Sequence, residues 1–158
     1  YFIVLDQIES LKESGSLWSN INMDHIGIFG HSFGGGTAIV SSYNDDRLDV
    51  CITLDSWIKP VPSNIINDGL NTPFLFIGQE KWDDPINYQK LDTLIGNCSS
   101  EREKILLKDT KHFDYTDSPY FSDITKKVGI SGSMPATEIV DSLNHHIARF
   151  FEKHLMAE

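Results

Sequence analysis

Basic residues are few in this 158-residue chain: 13 Lys and Arg stand against 23 Asp and Glu, a formal charge of −10 at pH 7. No local cluster of Lys and Arg offsets that deficit, and a net anion repels phosphate backbones, so a nucleic-acid partner is not expected. No apolar run approaches the roughly 18 residues that a spanning helix needs, which excludes a transmembrane segment and leaves only association with a lipid surface open. Cysteine is scarce too, with two residues, Cys51 and Cys98. Neither stands in metal-ligand spacing, and no H-E-x-x-H pattern occurs, so neither a metal nor another cofactor is expected. Cys51, inside Val50-Cys51-Ile52, reads as a buried, inert hydrophobe. Neither the thiols nor a lone Asn97-Cys98-Ser99 sequon decides between a cytoplasmic and a secreted location. Internal repeats and low-complexity linkers are absent. What remains is ordinary globular composition, 40% hydrophobic and 23% charged, enough to bury a core.

Phe2, Leu5, Ile8 and Leu11 recur at helical spacing up to a stop at Ser14-Gly15. After the polar turn around Ser19, Asn20 and Asn22, the run from His25 to Phe29 reads as a strand, and Ser32 to Ser42 as the helix behind it. Asp49 to Leu54 and Thr72 to Gly78 are short apolar runs bounded by turn residues, as buried parallel strands are. Between them Pro60, Pro62, Asn64, Asn67, Asp68 and Gly69 read as a loop-rich excursion. A helix is expected from Pro85 to Ile95, a last strand at Ile105-Leu106-Leu107, and a closing amphipathic helix that puts Ile139, Leu143, Ile147, Phe150, Phe151 and Leu155 on one face. Strand and helix alternate, which predicts an α/β fold: a mostly parallel sheet with helices on both faces and a site at the carboxyl ends of the strands. The chain begins at Tyr1, already in a helical pattern, and residues 1–158 are read as the carboxyl-terminal part of a single domain.

Gly30-His31-Ser32-Phe33-Gly34 has the form G-x-S-x-G and lies where a strand ends and a helix begins, the context of a nucleophile elbow. The serine backbone there is strained, and the expectation is that Gly30 and Gly34 lack side chains so that strand and helix can close on each other. Ser32 would stand at a helix start, with the Phe33 backbone N–H as an oxyanion donor. A phosphate loop is a poorer fit, because the Gly-Lys-Ser/Thr ending is missing.

An activated serine needs a base, and in such folds the order is serine, acid, histidine. His112 follows the last strand run and would sit at a carboxyl strand end. His145, His146 and His154 lie on the closing helix as solvated or capping residues; His25 lies at the opposite end of its strand; His31 is expected to line or pack the site. Two acids compete to orient His112: Asp55, directly after the second strand run, and the Asp83-Asp84 pair after the third. Both follow strands, and the residues alone leave the choice open.

The runs Gly30-His31-Ser32-Phe33-Gly34-Gly35 and Leu54-Asp55-Ser56-Trp57, with Pro60 behind them, then His112-Phe113 with Asp117, and finally Ala148-Arg149-Phe150-Phe151-Glu152-Lys153-His154-Leu155, closely resemble the platelet-activating factor acetylhydrolase family, the plasma and intracellular type II group of α/β-hydrolases. The resemblance covers nearly the whole chain. It implies an α/β-hydrolase fold, an acid at Asp55 and a base at His112. It further implies a serine ester hydrolase acting on a small lipid substrate, a glycerophospholipid with a short or oxidised acyl group at sn-2, with acyl selectivity set near Trp57 and Ile58. The second oxyanion donor is expected upstream of Tyr1. A rival resemblance, to dienelactone-hydrolase and cutinase-like carboxylesterases, would move the acid into the later loop, where Trp82 occupies the usual position and Asp83 the next. A third reading is a catalytically dead hydrolase-fold module that only binds.

Overall fold

The computed structural model describes residues 2–13, 17–121 and 124–156. Helix α1 (Phe2–Glu13) leads to a 3-10 turn (Leu17–Asn20), and strand β1 (Gly27–His31) runs straight into α2 (Phe33–Asn44). Then follow β2 (Val50–Leu54), α3 (Ser63–Asp68), β3 (Phe74–Gln79), α4 (Pro85–Asn97) and β4 (Arg102–Leu107). A 3-10 turn (His112–Tyr115), two short helices, α5 (Ser118–Phe121) and α6 (Ile124–Lys127), and the long α7 (Ala136–Leu155) complete the order. Among the described residues the strands form one parallel sheet in the order β1-β2-β3-β4. The stop expected at Ser14-Gly15 lies outside the described residues.

The two-residue period of a strand sorts the continuous apolar runs onto two cores. Cys51, Phe74 and Phe76 face one side, against Ile39 of α2, Ile65 of α3, and Leu91 and Leu94 of α4. Val50, Ile52, Leu54, Leu75 and Ile77 face the other, against Ile139, Leu143 and Phe150 of α7. Phe150 is fully buried, and its truncation to alanine would cost about 3–5 kcal/mol. Helices therefore cover both faces. None of the described helices is long and apolar enough to cross a membrane.

Three elements and one side chain differ from expectation. Strand β1 runs two residues further than Phe29, so Gly30 and His31 belong to it. The loop-rich excursion holds helix α3; Pro62 and Gly69, read as loop residues, stand at its two ends, where a fixed φ and a positive φ (75°) serve as start and stop. Strand β4 begins three residues earlier than Ile105, in the charged run Arg102-Glu103-Lys104. That run is an edge, and its charges split by face: Glu103 pairs with Arg149 of α7, while Lys104 pairs with Asp92 of α4 at 2.5 Å. His154 is not a solvated residue: its side chain is 13% exposed, 3.7 Å from Glu101 and packed on the Phe150 ring.

Candidate active site

Among the described residues three non-glycines have left-handed backbone, Ser32 (φ 56°), Asp55 (φ 40°) and Asp109 (φ 58°), and each directly follows a strand or its first turn at the carboxyl edge of the sheet. Such conformations cost about 1–3 kcal/mol each and persist only when the surroundings hold them. At Ser32 the hold is visible. Its N–H donates to the Leu54 carbonyl at 3.0 Å, and its carbonyl accepts from Gly35, Gly36 and Trp57. The elbow is thus bolted to the end of β2. Phe33 is the first residue of α2, so its N–H has no carbonyl one turn behind it and is free to face an oxyanion.

The glycine requirement is distributed differently from the expected pair. A Cβ on Gly30 would lie 2.4 Å from the Gly34 carbonyl oxygen, so Gly30 is needed. A Cβ on Gly34 would meet nothing within 4 Å. The crowded helix position is Gly35, whose Cβ would fall 2.4 Å from Ser56 Oγ. Gly34 contributes its backbone to the contact, whereas Gly35 contributes the missing side chain.

Asp55 is wholly buried, and its N–H donates to the Ile77 carbonyl at 2.7 Å. Its carboxylate fits the end of β3 because Gly78 has no side chain: a Cβ there would stand 2.9 Å from Oδ1. The chain beyond Asp55 is clamped by Asn87 of α4, whose Oδ1 accepts from Ile58 and Lys59 N–H and whose Nδ2 donates to the Ser56 carbonyl. His112 is delivered by the turn at Asp109 and by the buried Asp114, whose Oδ2 accepts from the N–H groups of Lys111 and Gly132, both at 2.7 Å.

These three side chains, distant in sequence, meet. His112 Nδ1 lies 2.7 Å from Asp55 Oδ2, and His112 Nε2 lies 2.8 Å from Ser32 Oγ. A carboxylate only accepts, so the neutral imidazole carries its proton on Nδ1, and Nε2 is left as an acceptor for the serine hydroxyl. The arrangement can deprotonate a hydroxyl and stabilise the imidazolium that results. Asp83 and Asp84 are elsewhere. Asp83 is exposed and makes no hydrogen bond to His112 among the described residues. Asp84 caps α4 through the Ile86 N–H and pairs with Lys59 at 2.8 Å, which holds its carboxyl below the usual range.

His31 packs against the site, as expected, and also donates a hydrogen bond. Its Nε2–H donates to the His112 carbonyl at 3.0 Å, and the two rings are 4.6 Å apart. Burial, then the neighbouring His112, holds it below the usual histidine range, which keeps it neutral. Burial raises the Tyr88 and Tyr115 hydroxyls, and the thiol of Cys51, fully buried, is pushed up to about 12. Sequence reasoning missed Gln79, Trp82, Asn87 and Asp114, polar or amphipathic residues that act only through neighbours folded onto them; a tryptophan within the polar run Glu80-Lys81-Trp82-Asp83 was the one visible signal.

Around His112 opens a cleft of about 760 Å³, walled by Gln79, Trp82, Lys111 and Phe113. On the elbow side lies a smaller apolar depression of about 240 Å³, lined by Phe33, Gly36, Thr37, Val40, Pro60 and Val61. Trp57 and Ile58 lie beside this depression: Trp57 stands exposed next to the Phe33 ring, 6.3 Å away, and the carbonyl of the fully buried Ile58 accepts from the Val61 N–H. No group of three or more His, Cys, Asp or Glu among the described residues could hold a metal.

The parallel sheet, its helices on both faces and the elbow at the end of β1 define the α/β-hydrolase fold. The solved structure of a ferulic acid esterase from Streptomyces cinnamoneus has the same fold, with a TM-score of 0.72 at 23% identity over 87% of this chain and 42% of that one. The model of the family described as platelet-activating factor acetylhydrolase, isoform II, matches residues 4–158, and the chain belongs to that family. It is 30% identical over 154 residues to the platelet-activating factor acetylhydrolase of Gallus gallus, a match covering 96% of this chain and 36% of the relative. It is 29% identical to the enzyme of the same name from Canis lupus familiaris, over 94% of this chain and 32% of the relative. The chain thus spans about a third of the length of these curated relatives.

Proposed function

We propose that these residues form the catalytic part of a serine ester hydrolase of the platelet-activating factor acetylhydrolase type. The observation that carries the reading is the hydrogen-bonded series Ser32 Oγ, His112 Nε2, His112 Nδ1, Asp55 Oδ2 at the end of a strained elbow. In the proposed reaction Ser32 attacks the ester carbonyl while His112 takes its proton, and the Phe33 N–H supports the oxyanion. Collapse expels the alkoxide, which takes the proton back from His112. Water, deprotonated by the same imidazole, then frees the acyl group and restores Ser32. Asp55 keeps the proton of the neutral ring on Nδ1 throughout. This reading takes the second oxyanion donor from outside the 158 residues.

Family membership favours the sn-2 ester of a glycerophospholipid as substrate. The depression beside Phe33, about 240 Å³, suits a short or oxidised acyl group rather than a long chain. Exposed Val128 and Ile130, which flank Gly129 in the cleft wall, favour approach to a lipid surface. A fluorophosphonate probe tests the reading on the intact protein. Labelling that disappears in Ser32→Ala, together with faster cleavage of acetyl than of long-chain esters, supports it. Absence of labelling would favour a module that only binds, and a long-chain preference would favour a general lipase.

A further inference from the structure

The Asp55 carboxylate holds four hydrogen bonds, and three come from residues with no place in the reaction proposed above. Oδ2 accepts from His112 Nδ1 at 2.7 Å and from Gln79 Nε2 at 2.9 Å. Oδ1 accepts from the Gln79 backbone N–H at 3.1 Å and from the indole N–H of Trp82 at 3.0 Å. Tyr88 of α4 steadies this set by donating its hydroxyl to the Gln79 carbonyl. Trp82 touches the array twice, because its ring also meets the His112 ring edge-on, 5.0 Å between centroids and 71° between planes. It does so from the wall of the open cleft rather than from the core.

Each contact has its own physical consequence. An indole N–H on Oδ1 fixes the rotation of the carboxylate about its last bond, and so aims Oδ2 at Nδ1. It also draws charge toward Oδ1, since a carboxylate shared among four donors gives less to each. The tryptophan ring closes one side of His112, which His31 closes on another, 4.6 Å away. We propose that Trp82 is a positioning residue: through its indole N–H it orients the Asp55 carboxylate and limits how strongly that carboxylate holds the protonated form of His112. The inference rests on the proposed reaction and adds to it a residue in the loop after β3.

Trp82→Phe keeps a ring and removes the N–H. Released from the indole, the Asp55 charge is drawn more toward His112, which favours the imidazolium. The acidic limb of kcat/KM for an acetyl ester should therefore move to higher pH by about half a unit. Poorer aim should lower kcat by about three- to tenfold with KM within about twofold, since hydrogen bonds to charged groups are worth more than neutral ones. The other groups facing this pair, His31 from β1, Tyr88 from α4, Tyr115 from the turn after β4, and Glu80, Asp83 and Lys111 in the cleft, are all retained in the variant. Gln79→Ala, which deletes the Nε2 donor and keeps the backbone one, should move the limb the same way. A merely structural Trp82 would lower the melting temperature and leave the limb where it was. An acidic limb that stays in place or moves to lower pH in Trp82→Phe overturns the inference. Ser32→Ala is assayed beside it. If that variant is inactive while Trp82→Phe matches the parent, the inference alone fails; if Ser32→Ala keeps its activity, the reaction and the inference fall together.

Discussion

Replacing Asp55 by asparagine separates the two acids that follow strands. Asp55 is wholly buried and faces four donors, so its two oxygens are both in use. Asparagine has one acceptor oxygen. If that oxygen keeps the Gln79 N–H and the Trp82 indole, the new amide nitrogen points at the Gln79 side chain and at His112 Nδ1. Gln79 can turn its own amide over and offer oxygen. His112 has one remedy, to move its proton to Nε2, and that nitrogen then presents a hydrogen to Ser32 Oγ instead of a lone pair. The fold survives and the base is lost. By the logic of a tautomer locked the wrong way, kcat should fall by up to about 10⁴, a transition-state loss of about 5 kcal/mol. Stability should change far less, by about 1–3 kcal/mol, since a buried charge leaves together with one of its bonds. The assay is kcat on an acetyl ester beside a circular-dichroism melt, with Asp83→Asn and Asp84→Asn as companions expected to stay within about threefold of the parent. A crippled Asp83→Asn with a mild Asp55→Asn would refute the reasoning and return the acid to the later loop.

The elbow glycines should behave unequally. Gly30→Ala, forced 2.4 Å from the Gly34 carbonyl, should lose about 2 kcal/mol or more in urea unfolding. Gly34→Ala, with open space around the new methyl, should be neutral or more stable by up to about 1 kcal/mol, and equal losses in the two variants would contradict this account. Acid stability follows from three carboxylates held below their ordinary range, Asp45 by its hydrogen bonds to Arg47, Glu103 by those to Arg149 and Asp84 by its hydrogen bond to Lys59. A carboxyl depressed in the folded state adds stability above its unfolded value and loses it as pH falls through the folded one. The melting temperature should therefore be level near neutrality and fall below about pH 4. Asp45→Asn should flatten that fall, and a melting temperature unchanged from pH 6 to 3 would speak against it.

Local chemistry made much of this legible in advance. The helix from Ala136 to Leu155 was readable because its apolar residues repeat with the helical period, and β2 and β3 because β-rich apolar runs end at turn residues. The elbow was readable because a serine forced into left-handed backbone between a strand and a helix needs a side-chain-free neighbour two residues before it, a demand that Gly30 meets within the motif. His112 stood out as a histidine just past a strand. Helix α3 and the first half of β4 were not legible. Proline and glycine can mark either a loop or the two ends of a short helix, and charges deny burial without denying an edge strand. The choice between Asp55 and Asp83 was open for the residues alone, since each is an aspartate after a strand. The tertiary structure shows which of the two meets the histidine, because it brings the end of β2 to His112 and turns the loop after β3 so that Trp82, not Asp83, hydrogen-bonds to the pair. The same holds for Gly35, Gln79 and Asn87. Their duties depend on which backbone approaches within 3 or 4 Å once the sheet has closed, a distance that no spacing along the chain contains.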